Sequence, residues 1–314
     1  MMTESPGPAP ARHLRGIALA NVAVVFFGLA GVLGKLSGLP APVIVFGRVL
    51  FGGVVLLALA GVQRRPLRPR GRRDAVVLVA QGILLAVHWT AFFQSIAVSN
   101  VAVGLLSFSS FPLFTAALEP VLFRQRPSRI QIVAALLILP GIYLLVPAFT
   151  LQDRTTRGVA WGLLAGATFA LLSVANRWLG RRYPSLTISL YQDGVALVAL
   201  LPVLVLVPGA LAWTPGQLLI LLVLGVGCTA LAHTLFIESM RAITAQSASL
   251  LASLEPVWGI AFGVLLLGEI PTGPTLLGGA IIVGATMLPG VVAWGAARRA
   301  PVKSGKLRTR GTRT

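Results

Sequence analysis

Long apolar blocks, separated by short clusters of Pro, Gly and Arg, set the pattern of this chain. Three blocks, GIALANVAVVFFGLAGVLG (16–34), VLFGGVVLLALAGV (49–62) and GPTLLGGAIIVGATMLPGVVAWGAA (273–297), carry no acidic or basic residue. A helix rises about 1.5 Å per residue, so about 20 such residues cross the hydrocarbon core of a bilayer. The blocks do not alternate apolar with polar positions, which argues against membrane strands. Ten spans follow: 15–36, 41–62, 74–97, 101–123, 130–147, 158–179, 185–207, 215–240, 244–267 and 273–296. The Pro, Gly and Arg at the breaks act as helix punctuation. The first block is too long for the core of a cleavable signal and shows no small-residue cleavage site, so it reads as a span. The predicted fold class is an all-α integral membrane protein with ten transmembrane helices. Residues 1–14 and 297–314 read as tails, with MMTESPGPAP and APVKSGKLRTRGTRT disordered.

Composition agrees. Of 314 residues, 56% are hydrophobic and only 11% are charged, against about 25% charged in a soluble domain. The formal charge of +18 raises the question of nucleic acid, but its placement answers it. Arg12 and Arg15 stand at the start of the first span, and Arg64, Arg65, Arg68, Arg70, Arg72 and Arg73 follow the second. Arg124, Arg126 and Arg129, then Arg177, Arg181 and Arg182, then Arg241, fall on the same side. So does the tail with Arg298, Arg299, Lys303, Lys306, Arg308, Arg310 and Arg313. The opposite side holds only Lys35, Arg154 and Arg157. Cytoplasmic loops collect Lys and Arg, so both termini are expected in the cytoplasm and the basic tail on anionic lipid. Three Lys against 23 Arg suggests a GC-rich bacterial genome, hence a bacterial inner membrane. The single cysteine, Cys228, rules out an intramolecular disulfide and reads as a small apolar filler.

An internal repeat is visible. FFQSIAVSNVAVGLLSFSSFPLF (92–114) and FIESMRAITAQSASLLASLEPVW (236–258) align at an offset of 144, matching Phe92 with Phe236, Ser95 with Ser239, Ser109 with Ser253 and Pro112 with Pro256. RGIALA (15–20) aligns with RGVAWG (157–162), Lys35 with Arg177, and Pro40 with Pro184. The repeats cover 15–147 and 158–296, five spans each. Five is odd, so the second half enters from the opposite side. Equivalent loops exchange charge accordingly: RQRPSR (124–129) corresponds to GEIPTG (268–273), and QRRPLRPRGRRD (63–74) to VPGALAWTPG (207–216). Inverted repeats are a transporter device, because two such halves can open to either side of a site between them.

With LLASLEPVWGIAFGVLLLGEIPTGPTLLGGAIIVGA (250–285) in its second half, the chain resembles the drug/metabolite transporter superfamily, EamA-type branch. The signature is Glu255, Pro256 and Val257, then Gly268 and Glu269, then Gly278 and Gly279. The first half departs from it, with Phe111 and Pro112 for Glu-Pro and Gln125 where Glu269 would stand. Within the branch the chain is most similar to YddG-like amino-acid exporters. That resemblance implies an aromatic cavity wall at Phe27, Trp89, Phe111 and Phe169. Three of these are Phe, which lacks the hydrogen-bonding indole of Trp.

Glu255 is the sharpest candidate, since a carboxylate inside an apolar span is costly. Three readings stand open: it lines a wet cavity, it pairs with a buried cation, or it sits protonated as a packing residue. Cavity-lining would let water or a polar partner such as His88 offset its desolvation. Pro112 and Pro256, at mid-depth of equivalent spans, are candidate hinges that kink or loosen their helices. His88, Trp89, His233, the repeat equivalent of Trp89, and Ser253 complete the candidate cavity set, alongside packing readings for each. Gln246 and Ser249 extend the polar stripe of Ser253. Arg48 is placed to snorkel outward, Gln192 and Asp193 lie similarly far in from the inner side, and Glu119 faces Arg124 or Arg126.

The function expected is secondary transport: export of small metabolites, amino acids above all, by alternating access. A multidrug exporter of lipophilic cations is the alternative. Cys/His clusters, an HExxH motif and a phosphate-binding loop are missing from the sequence, so catalysis, cofactors and direct ATP use are not expected. Phosphorylated substrates need cations in the cavity, and the fourth and ninth spans offer none. The partners expected are a small-molecule substrate and the bilayer, with one chain as the functional unit. The charge swap gives a test. Single cysteines at Arg68 and Ala212 should label oppositely with an impermeant maleimide in intact cells, position 212 reacting and position 68 not. Equal labelling would overturn the inverted topology.

Overall fold

The protein is described by a computed structural model over residues 9–63, 68–123, 128–148, 150–180, 182–239, 242–243 and 251–299. The chain runs through α1 (Ala9–Leu36), α2 (Ala41–Val62), α3 (Arg72–Val98), α4 (Val101–Phe108), α5 (Phe111–Phe123) and α6 (Arg129–Leu145). The second half holds α7 (Arg154–Leu179), α8 (Ser185–Val205), α9 (Pro215–Leu222), a π-helical segment (Val223–Leu231), α10 (Ala232–Ser239), α11 (Glu255–Leu267) and α12 (Gly273–Arg299). Among the described residues every regular element is a helix. Seven helices are long and apolar enough to cross a membrane, and three shorter apolar ones, Val101–Thr115, Arg129–Leu145 and Glu255–Leu267, bring the total to the ten expected.

Boundaries differ in several places. α1 begins at Ala9, six residues before the expected span, with Pro10 in its first turn, where a missing N–H is harmless. α12 runs on to Arg299, because a helix satisfies its own backbone as well beyond lipid as within it. The fourth span is two helices, broken at Ser109 and Ser110. The start of the ninth expected span (244–250, with Gln246 and Ser249) lies outside the described residues. So do Arg64, Arg65, Arg124, Arg126, Arg181 and Arg241, and the side chains of Glu119 and Arg177.

Inversion can be read from contacts at the two ends of the bundle. Lys35, at the end of α1, donates to the Ser99 carbonyl at the end of α3 at 3.1 Å, so α1 and α3 run parallel. Asp74, at the start of α3, pairs at 2.7 Å with Arg182 just past the end of α7. Ser95 near the end of α3 bonds the Gly158 carbonyl near the start of α7 at 2.6 Å. Thus α7 runs antiparallel to α3, and therefore to its own counterpart, α1. The halves interleave. α7 packs on α3, α4 and α5, while α1 packs on α10, the π segment and α11; α2 meets α8, and α6 meets α12.

Local chemistry sets the helix ends. Asn100 caps α4 by accepting from the Val103 N–H at 2.8 Å. Asp153 caps α7 through the Thr156 N–H at 2.8 Å, and that bond holds its carboxyl below the usual carboxylate range. Because the folded state favours the ionised form, this cap helps above the unfolded pKa and is lost as pH falls through the folded one. Gly268, at φ 67°, ends α11 in the left-handed region. The turn delivers Glu269 to the Val101 N–H at 2.8 Å and to an ion pair with Lys35. The Gly-Glu of the signature thereby ties α11 to α1 and α4.

Lipid is as apolar as leucine, so close approach rather than hydrophobicity holds membrane helices together. At the α1–α11 crossing, a Cβ on Gly28 would lie 2.7 Å from the Gly259 nitrogen and 2.8 Å from the Trp258 Cβ. Neither atom is a flexible side-chain end, so the helices would have to separate. Gly28→Ala should cost about 1–3 kcal/mol, read as a lower melting temperature in detergent. Gly284→Ala, with nothing within 4 Å of the added methyl, should melt as wild type. Equal melting of both variants would refute this crossing.

Candidate functional site

A cavity lies between α2, α3, α8 and the eighth span, lined by Leu56, Leu85, Trp89, Ser189, Gln192, Asp193, Thr229 and His233. At the repeat offset of 144, Leu85 corresponds to Thr229 and Trp89 to His233. Two equivalent pairs therefore line it together, which puts the cavity on the pseudo-twofold axis between the halves. Its volume is about 30 Å³, room for water but not for a metabolite.

Beside it sits a buried cation. Arg48 is 4% exposed and donates from Nε and Nη2 to the Thr229 hydroxyl at 3.1 and 3.0 Å. Its guanidinium lies 3.8 Å from the Trp89 ring centroid and 5.5 Å from that of Phe93. Planar stacking suits Arg and leaves its edge free for hydrogen bonds. Arg48 therefore does not snorkel outward: bonds to Thr229 and the indole face hold it inside. The cavity region does carry a cation, supplied by α2 rather than by the fourth or ninth span.

The π segment makes this possible. A π turn bonds i to i+5 and is wider than an α turn, and such turns recur at functional sites. Thr229 donates to the Leu224 carbonyl five residues back, at 2.9 Å, while accepting from Arg48. On α8, Gln192 donates from Nε2 to the Gln81 and Asn176 side-chain oxygens, both at 2.9 Å. Gln192 is the repeat equivalent of Arg48, and each binds across to the third span of the opposite half. Asp193 is 2% exposed, and its Oδ2 has no hydrogen-bond partner among the described residues.

The expected site residues divide into three groups. Trp89 and His233 line the cavity, and Phe27 packs edge-on against His233 at 5.3 Å and Phe236 at 5.8 Å. Phe111 and Phe169 pack on each other at 5.0 Å and form a second aromatic cluster with Phe108 and His88. His88 Nδ1 lies 2.9 Å from the Ala165 carbonyl, so the packed α3–α7 interface uses that proton. Ser253 and Glu255 lie at the break in the ninth span.

That break explains Glu255. It is the first residue of α11, with Pro256 behind it, and the cap residue Leu254 supplies no side-chain hydrogen bond. A helix N-terminus carries partial positive charge and unpaired N–H groups, so a carboxylate is stabilised there. Pro112 occupies the matching place in α5, after Ser109 and Ser110. Neither proline kinks a continuous helix. Each starts a new one, where its missing N–H costs nothing.

Sequence reasoning placed Arg48, Gln192 and Asp193 in the bilayer but outside the site, and it passed over Thr229, Ser189, Leu56 and Leu85. The repeat register offered a signal for four of them, since it aligns Leu85 with Thr229 and Arg48 with Gln192. Nothing in the residue pattern marks the π segment.

The EamA-like transporter family matches the chain twice, over residues 14–146 and 156–289. The chain belongs to the EamA-like transporter family. Among relatives, the uncharacterized transporter YwfM of Bacillus subtilis is 26% identical over 260 residues, covering 82% of this chain and 87% of that protein. An uncharacterized transporter of Archaeoglobus fulgidus is 27% identical, covering 84% and 92%. The uncharacterized inner membrane transporter YicL of Salmonella typhimurium is 26% identical, covering 84% and 91%. A solved crystal structure shares the fold with a TM-score of 0.64 at 19% identity, covering 90% of this chain and 99% of that one. This EamA-like transporter thus carries one family unit in each five-helix half, and its cavity lies between them.

The buried guanidinium makes a stability test. Thr229→Val removes the acceptor of two Arg48 bonds and should cost about 1.5–3 kcal/mol, the range for a hydrogen bond to a charged group. Thr229→Ser keeps the hydroxyl and should melt within about 1 kcal/mol of wild type. If Val and Ser melt alike, Arg48 does not depend on Thr229.

Proposed function

We propose that this EamA-like transporter exports small neutral or aromatic amino acids across a bacterial cell membrane by alternating access, as one chain with both termini in the cytoplasm. The observation that carries the reading is the cavity on the pseudo-twofold axis, lined by the equivalent residues Trp89 and His233. A site on that axis stays central when the two halves rock into their alternative conformation. Its walls mix apolar and aromatic surface with a few polar groups, as small-molecule sites do. The breaks before Phe111-Pro112 and Glu255-Pro256 are the points where the fourth and ninth spans flex. The Lys35–Glu269 ion pair and the Asp74–Arg182 pair tie the halves at opposite ends of the bundle. Breaking one tie while keeping the other opens the cavity to one side only.

A lipophilic-cation exporter is the second reading, favoured by Asp193 in the wall and by Glu255 nearby. Arg48 counts against it, since a cation entering the cavity meets a fixed guanidinium. Uptake into proteoliposomes decides, with a panel of radiolabelled amino acids and lipophilic cations, with and without a pH gradient. Saturable uptake of neutral or aromatic amino acids is expected. Trp89→Ala and Phe111→Ala should each change the KM or the range of accepted amino acids by about tenfold, ~1.4 kcal/mol, in protein that melts lower but still elutes as a folded species. Uptake of cations alone would establish the second reading, and wild-type transport by both variants would remove the aromatic wall.

A further inference from the structure

Two opposite charges serve one cavity without meeting. Asp193 lines it and keeps Oδ2 unpartnered among the described residues. Arg48 stands at its edge, held by Thr229 and Trp89, two other lining residues. Among the described residues the ion pairs are Lys35–Glu269 and Arg182–Asp74, so Arg48 and Asp193 do not form one. They nevertheless lie at similar depth. A Cβ on Gly52 would touch the Thr229 methyl at 3.2 Å, and one on the next residue, Gly53, would lie 3.9 Å from the Asp193 Cβ.

Charges inside a bilayer are costly, and they normally pair with one another or mark a substrate or ion path. Breaking a buried pair by removing one partner is costly because the remaining charge is uncompensated. A cation at the edge of a cavity and an unpartnered carboxylate in its wall therefore suit a ligand that brings both complements. A lipophilic cation would satisfy only Asp193, and a simple anion only Arg48. A zwitterion satisfies both.

We propose that Arg48 and Asp193 are the two poles of a zwitterion site. The free edge of the guanidinium takes the substrate's carboxylate in a charge-assisted hydrogen bond, and Asp193 Oδ2 takes its ammonium. Leu56, Leu85, Trp89 and His233 form the surface against which an apolar or aromatic side chain rests. The pair rests on the amino-acid reading above and adds which residues recognise the backbone charges. Glu255 does not line the cavity, so it stands outside the pair. The present volume admits only water, so α2 and α8 must part for substrate to enter between the poles.

Competition for uptake in proteoliposomes of the full chain tests this. The probes are radiolabelled phenylalanine, or whichever neutral amino acid the uptake panel ranks first, with its decarboxylated and deaminated analogues, here phenethylamine and 3-phenylpropionate. Wild type should prefer the amino acid over either analogue by about tenfold or more, ~1.4 kcal/mol per tenfold. Asp193→Asn, which is isosteric, should raise the KM for phenylalanine about tenfold and abolish the preference over 3-phenylpropionate. Arg48→Lys should weaken the preference over phenethylamine, while Glu255→Gln should keep both preferences. Elution profile and melting temperature report folding. Should Arg48→Lys not fold, the wild-type selectivity and Asp193→Asn still decide. The pair is overturned if wild type takes a singly charged analogue as well as the amino acid, or if Asp193→Asn weakens all three probes equally or none. A wild type that transports no amino acid would sink the amino-acid reading together with the pair. Amino-acid transport with unaltered selectivity in Asp193→Asn would sink the pair alone.

Discussion

Close approach of backbones, in a solvent that gives apolar surfaces no reason to associate, is the constraint on which this structure depends. Within lipid, helices are held by packing and by a few polar bonds. The α1–α11 crossing shows it at its tightest, with the Gly28 and Gly259 backbones in contact and no space for a methyl group between them. Because α1 belongs to one half and α11 to the other, this packing also interleaves the halves. The bundle is thus one body whose internal boundary is the pseudo-twofold axis, and the cavity forms on that boundary.

Polar groups follow the same logic. Four of the deeply buried ones reach a neighbouring helix or face the cavity. Gln192 bridges to Gln81 and Asn176, His88 to the Ala165 carbonyl, and Arg48 to Thr229. These bonds all cross between the halves, except that of Gln192 to Asn176. They act as register marks, since sliding one half against the other would strand a buried donor or acceptor. Asp193 Oδ2 is the buried carboxylate oxygen that no such bond satisfies among the described residues, and it belongs to a residue that lines the cavity.

Regular α-helix stops at three places inside the bundle. The fourth span breaks at Ser109–Ser110, the ninth before Glu255, and the eighth widens into a π segment at Val223–Leu231. Broken helices at membrane depth are tolerated only where protein or a cavity covers the freed backbone groups. All three irregularities lie in the third and fourth spans of a half, the spans on which the opposite half's first helix packs. The prolines fit this arrangement as helix starts rather than kinks, and Glu255 adds its charge to the exposed end of a dipole.

The sequence by itself determined the class, the ten spans, the repeat and its inversion. Those features come from hydrophobic length, loop charge and a fixed offset, each a property of residues close together in the chain. It also placed Trp89 and His233 in one candidate set, because the repeat makes them equivalents. It misjudged Arg48, whose position in α2 fitted snorkelling as well as burial, and it did not foresee that the Ala165 carbonyl engages His88. The tertiary structure decided these, because the partner of a buried charge is fixed by helices far apart in sequence. Thr229 stands 181 residues from Arg48, in a π turn that no local pattern announces. Apolar periodicity says which residues leave water. Only the packing of the two halves says which of them meet.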